Sequence, residues 1–156
     1  MWPFRRKKEV GVLHGDGTRP RKQPWEEPDL HGFQGISAIR RGCLGMILAS
    51  SRATHPNEFG GFLRVKGGVI EEVILLPGTV SGNEHAIFYT HMLPVDMSIQ
   101  GTVHSHPSPY PYPSDADLEL FAKHGRIHLI AARPYTDKSW RAYTFTGDPV
   151  RLDVVE

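Results

Sequence analysis

The pattern of apolar and polar positions divides the chain near residue 36. Before that point Pro3, Pro20, Pro24 and Pro28, with scattered glycines and clustered charges, interrupt every apolar run. Such a composition resists helix and pairs poorly as strand. Val10, Val12 and Leu13 have the makings of one short strand, but residues 1–35 as a whole read as an extension laid over the domain or loose from it. From Ile36 the pattern becomes regular. Ile36, Ile39, Leu44, Ile47 and Leu48 recur near a helical spacing and predict a helix over residues 37–51, although Gly42 and Gly45 weaken it. Gly61–Lys66 and Val69–Leu76 predict two strands joined by a tight turn at Lys66-Gly67-Gly68, and Ala86–Thr90 predicts another. Thr102–His106 is a further short extended run. Ser114 is a natural N-cap, with Asp115 and Asp117 in the first turn of a helix that His124-Gly125 ends. Arg126–Ala132, Trp140–Phe145 and Val150–Val155 complete the chain as strands. The sum is one α/β domain over residues 36–156, a mixed or largely antiparallel sheet flanked by two helices.

Composition narrows this picture without redirecting it. A chain of 156 residues, 39% hydrophobic and 22% charged, affords one domain with a core of its own. The formal net charge of +1 offers no general argument for an anionic partner. Arg5-Arg6-Lys7-Lys8, behind Trp2, Pro3 and Phe4, reads as a solvated terminus. From Ile36 onwards 11 Lys and Arg face 12 Asp and Glu, so no nucleic-acid partner is expected. The single cysteine, Cys43, excludes a disulfide framework and any site built from cysteines alone. No apolar run reaches the roughly 18 residues of a membrane span, and no basic start leads into an apolar signal region. The expectation is a cytoplasmic protein, with nothing in the pattern that speaks to oligomeric state.

The candidate chemistry lies in Gly101-Thr102-Val103-His104-Ser105-His106-Pro107, followed by Pro113-Ser114-Asp115-Ala116-Asp117. Residues two apart on a strand share a face, so His104 and His106 can aim two imidazoles at one cation while Ser105 faces the other side. Pro107 stops the ladder. The Pro- and Tyr-rich loop 108–112 returns the chain to a helix whose first turn presents Asp117. Two imidazoles and one carboxylate leave the fourth position of a tetrahedral zinc open for water, the pattern of a catalytic site. Such a water still needs a group to take its proton and pass it to a leaving nitrogen. Glu58, just before Gly60-Gly61, is the best candidate. His55, His85, His91, His124 and His128 have no spacing partners and read as structural or surface residues.

Glu58-x-x-Gly61-x-Leu63, then Gly101-x-x-His104-Ser105-His106-Pro107, then Pro113-Ser114-x-x-Asp117 resembles the JAMM motif of MPN-domain zinc metalloproteases, over roughly residues 36–145. The resemblance implies the MPN (cytidine-deaminase-like) fold. It implies zinc as cofactor, held by His104, His106 and Asp117, with Glu58 as general acid/base. Ser114 would donate a hydrogen bond to the oxyanion of the tetrahedral intermediate. As substrate it implies a peptide or isopeptide bond following the C-terminal tail of a ubiquitin-like or sulfur-carrier protein. The chain is short for the insertions with which eukaryotic members grip ubiquitin, and the extension at 1–35 has no counterpart in the motif. The alternative is a non-catalytic MPN-like scaffold or protein-binding module, but such modules lack some ligands and this chain keeps all of them. A zinc nucleobase deaminase would need a P-C-x-x-C segment that one cysteine cannot supply.

Overall fold

A computed structural model describes residues 22–75 and 96–156, together with the backbone of a two-stranded ribbon at Ser81–Gly82 (β5) and His85–Ala86 (β6). The predicted strand at Val10–Leu13 and most of that at Ala86–Thr90 lie outside the described residues. The remaining strands are β1 (Leu30–His31), β2 (Ala38–Arg40), β3 (Gly60–Lys66), β4 (Val69–Ile74), β7 (Ile99–His106), β8 (Ile127–Ala132), β9 (Trp140–Thr144), β10 (Pro149–Arg151) and β11 (Asp153–Val155). They form one mixed sheet in the order β1-β10-β9-β8-β7-β3-β4-β2-β11, with β7 parallel to β8 and antiparallel to β3. Helices α1 (Arg41–Thr54) and α2 (Asp115–Lys123) cover its two faces.

The sheet curls until its ends meet. Residues 30–40 place β1 at one end and β2 next to the other, and residues 149–155 do the same with β10 and β11. Where they come together His31 Nε2 donates to Asp153 Oδ2 at 2.9 Å. The predicted strand Val150–Val155 is therefore two strands, because the chain changes partners at Leu152, which drops its side chain into the core. Of the extension, residues 22–35 lie on the domain. β1 pairs in parallel with β10, and Arg141 donates to the carbonyl of Glu26 at 3.2 Å.

The helix predicted at 37–51 is displaced. Residues 38–40 are β2, parallel to both β4 and β11, and the helix runs from Arg41 to Thr54. Ile36 and Ile39 are buried by strand pairing rather than by a helical stripe; periodicity alone does not separate a short buried strand from a helix turn. At the predicted end and beyond it, Ser51 and Thr54 donate their hydroxyls to the carbonyls of Ile47 and Ser50 at 2.7 Å, which lets them sit inside the last turns. The β3–β4 turn is as expected. Lys66 pairs with Val69, and Gly67 and Gly68 take φ of 59° and 77°, the two positive values a two-residue hairpin needs.

The larger core lies between α1 and the sheet. Cys43, Leu44, Ile47 and Leu48 pack on Leu63, Val65, Ile70, Val73, Val103 and Leu129. α2 covers a smaller cluster on the opposite face: Phe121, Ile130 and Tyr143, with Leu118 against it. Among the described residues no helix is long and apolar enough to cross a membrane.

Candidate metal centre

Strand alternation sorts β7 between those two faces. Val103 joins the core under α1, whereas Thr102, His104 and His106 point to the α2 side. β7 can press this closely on β8 because residue 101 is glycine: a Cβ there would stand 1.7 Å from the carbonyl oxygen of Ile127. Asp117 arrives from the first turn of α2 through a reciprocal cap. Ser114 Oγ accepts from the Asp117 amide at 3.1 Å, and Asp117 Oδ2 accepts from the Ser114 amide at 2.9 Å. One turn further on, Phe121 anchors the helix. It is fully buried, stacked on the His128 ring at 4.3 Å, with its centroid 6.3 Å from that of His104.

The result is a convergence of three ligand atoms within 4.8 Å of one another. His104 Nε2 and His106 Nε2 lie 3.1 Å apart, and each lies 3.1 Å from an oxygen of Asp117. Zinc bonds of about 2.0–2.1 Å place the corners of a tetrahedron roughly 3.3 Å apart, so the spacing of the two imidazole nitrogens, and of each from its own oxygen of Asp117, is that of an edge of a zinc site. The chemistry of the donors agrees. His106 Nδ1 donates to the carbonyl of Tyr110 at 3.0 Å, which places its proton there and leaves Nε2 with a lone pair directed at the cluster. Among the described residues the Nδ1 of His104, on a side chain only 2% exposed, has no hydrogen-bond partner, so nothing there sets its tautomer as Tyr110 does for His106. The residues present fit Zn2+ as the cofactor.

Electrostatics favour a charged carboxylate at this point. Burial opposes ionisation of Asp117, but hydrogen bonds with His104 and His106, the charge of His104 and the Ser114 amide outweigh it and hold the carboxyl far below the usual range. Burial likewise lowers the affinity of His106 for a proton, yet hydrogen bonds to Asp117 and Tyr110, and the charges of Asp117 and Glu58, raise it overall. A divalent cation would take the place that a proton otherwise fills between these groups.

Glu58 reaches the cluster by register. In the β3–β7 pair Gly60 stands opposite His104. The Ser105 amide then donates to the Phe59 carbonyl at 2.8 Å, and the Phe59 amide donates to Ser105 Oγ at 2.7 Å. One residue further back, the same register brings Glu58 level with His106. It is half-buried there, and its charge is felt by both His106 and Tyr135. The 46 positions between Glu58 and His104 are bridged by this pairing, and Ser105 is the side chain that secures it.

The structure thus brings His104, His106 and Asp117 together, with Glu58 opposite and Ser114 at the foot of α2. Ser114 is exposed, and its oxygen serves the cap. Sequence reasoning passed over three neighbours. His55 and Tyr135 join the centre by hydrogen bonds, and Tyr143 donates its hydroxyl to the Pro111 carbonyl at 2.5 Å, pinning the loop that carries Tyr110. The signals were faint: a proline beside each of His55 and Tyr135, and a tyrosine among apolar strand residues.

Residues 41–143 match the family of prokaryotic homologs of the JAB domain. The chain is 36% identical over 131 residues to a protein of Haloferax volcanii described as a probable metalloprotease, covering 78% of this chain and 81% of that one. Among solved structures it is similar to one described as JAMM, a metalloprotease-like zinc site in the proteasome and signalosome. That match has 38% identity and a TM-score of 0.63 over 78% of this chain and 99% of the other. A JAB1/MPN domain protein from Archaeoglobus fulgidus gives 40% identity and the same TM-score of 0.63, over 76% of this chain and 99% of the other.

Proposed function

Because the chain belongs to the family of prokaryotic homologs of the JAB domain, the JAMM-like zinc metalloproteases, we propose that it hydrolyses a peptide or isopeptide bond with Glu58 as general acid/base. The observation that carries this reading is the triangle of His104, His106 and Asp117 with Glu58 in register across from it. When bound by those three residues, zinc supplies Lewis acidity, lowering the pKa of water and polarising a carbonyl. The chain's own groups do the rest. The Glu58 carboxylate takes a proton from water as its oxygen adds to the carbonyl carbon, then returns a proton to the nitrogen as the carbon–nitrogen bond breaks. Ser114 Oγ accepts from the Asp117 amide with a lone pair, so its own proton is free to donate to the developing oxyanion.

The substrate class is proposed from the resemblance of the motif: a bond after the C-terminal tail of a ubiquitin-like or sulfur-carrier protein. The test incubates zinc-loaded protein with linear and isopeptide fusions to several ubiquitin-like proteins, with Glu58→Gln as the blank. Cleavage by the wild type, and a loss of about 10²-fold or more in kcat with zinc retained in Glu58→Gln, is the expected result. Equal rates for the two proteins would remove Glu58 from the mechanism.

A further inference from the structure

Three chain segments, the end of α1, the end of β7 and the stretch after β8, meet behind the metal centre at one side chain that the motif does not include. Tyr135 follows β8 and is 2% exposed. Its hydroxyl lies 3.1 Å from the main-chain oxygen of His106 and 2.8 Å from Nδ1 of His55. A carbonyl cannot donate, so the phenol proton goes to His106, and the phenol oxygen must accept from His55 Nδ1–H. The direction of the chain is thereby set: His55 to Tyr135 to the backbone of a metal ligand. Its backbone is held as firmly. Arg52 of α1 donates to the Tyr135 carbonyl at 2.7 Å, and the Tyr135 amide donates to Ala132 at 2.8 Å.

The conformation adds a second, independent observation. Tyr135 has φ of 61°, in the left-handed region where glycine would be at ease and a tyrosine is strained. A residue kept there against its own backbone preference is kept for its side chain. Position explains the use. β7 ends at His106 because Pro107 has no amide to continue the ladder. On the other side, His55 closes α1 and stands three residues before Glu58, at the start of the loop that leads into β3. The phenol therefore joins the end of the ligand strand to the loop that carries the acid/base.

We infer that Tyr135, oriented by His55, is a positioning residue that sets the distance between Glu58 and the His104–His106–Asp117 cluster. Its hydroxyl touches no reacting atom; it holds two loops whose relative placement the reaction depends on. Misplacing reacting groups by about 1 Å is enough to cost on the order of a hundredfold in rate. The inference rests on the metallohydrolase reading above, and its test is arranged so that the two fail separately.

Tyr135→Phe keeps the buried ring and removes the bridge. His55→Ala removes the donor, and His55→Asn restores an N–H at the place of Nδ1. In the zinc-loaded proteins Tyr135→Phe is expected to lower kcat about ten- to a hundredfold with KM within about twofold and zinc content unchanged. His55→Ala should match it, the double variant should be no worse than either single one, and His55→Asn should recover most of the rate. The visible absorption of the Co2+-substituted protein should change in Tyr135→Phe, because the His106 ligand is no longer held from behind. An unchanged kcat in Tyr135→Phe, beside an inactive Glu58→Gln, overturns this inference and leaves the function standing. Additive losses, or an unchanged Co2+ spectrum in Tyr135→Phe, also overturn it. Wild-type rates in Glu58→Gln overturn the function itself.

Discussion

The two faces of the sheet are built from different materials. Under α1 the contacts are mostly apolar, from Cys43, Leu44, Ile47 and Leu48 to Leu63, Val65, Ile70 and Val103, and the buried Ser51 and Ser105 there are satisfied by the Ile47 carbonyl and the Phe59 amide. Under α2 the apolar cluster is small, and Thr102, His104, Asp117 and His128 are buried beside it. Burying apolar surface lowers free energy without demanding a partner, whereas each buried polar group must find one. The first face therefore supplies stability and the second spends some of it on a charged, tightly connected site. β7 belongs to both, through Val103 on one side and His104 and His106 on the other, so the stable core holds the candidate metal centre in place.

The largest effect that would break this contrast is expected on the α2 side. Asp117→Ala should reduce zinc affinity by more than about 100-fold, beyond the loss caused by an outer-sphere partner, and abolish turnover while the purified protein remains folded. Full zinc occupancy, measured by metal analysis after dialysis, would show that the triangle is not the binding site. On the α1 side Leu63→Ala should cost about 2–5 kcal/mol in urea unfolding, with zinc content and kcat per folded molecule unchanged. A loss of zinc in that variant would mean that the two faces are not separable.

Finer changes sharpen the division. Ser114→Asp keeps an N-cap of equal quality but has no proton to donate at neutral pH. It should leave the melting temperature near that of the wild type and lower kcat by about 10²-fold; an unchanged kcat would confine Ser114 to capping. The smallest effect is one of pH. Burial, foremost, pushes the His128 pKa down to about 3, and its ring is already engaged by the Thr102 hydroxyl at 2.8 Å. The unfolded chain takes up a proton there below about pH 6.5, but the folded protein does not until near pH 3. Stability from this group is complete above pH 6.5 and drains away as pH falls, at about 1.4 kcal/mol per pH unit. His128→Asn should flatten the acid limb of a stability curve between pH 6.5 and 5.5 by about 1 kcal/mol, since the slope is still building near the unfolded pKa. An unaltered slope would show that His128 is not the group responsible.

How far the pattern of residues could be read follows the range of the forces involved. The α2 start, the β3–β4 hairpin and the facing of His104 with His106 are local matters, settled by a capping serine, two glycines and a two-residue repeat, and they stood in the structure as expected. Residues 37–40 misled because a short buried strand and a helix turn share the same apolar content, and the choice between them was made by β4 and β11. Val150–Val155 misled for a related reason, since only a closed sheet requires one segment to serve both of its ends.

By itself, then, the sequence determined the identity and spacing of the three side chains that converge in the candidate metal centre, the turns beside them and the presence of two amphipathic helices. All of these depend on neighbours a few positions away. Tertiary structure alone decided that Glu58 lies across from His106, that Ser105 ties the Phe59 amide, and that a strained Tyr135 stands behind the ligand strand. Those contacts join residues 29 to 80 positions apart. Strand register and loop closure create them, and neither leaves a periodic trace along the chain.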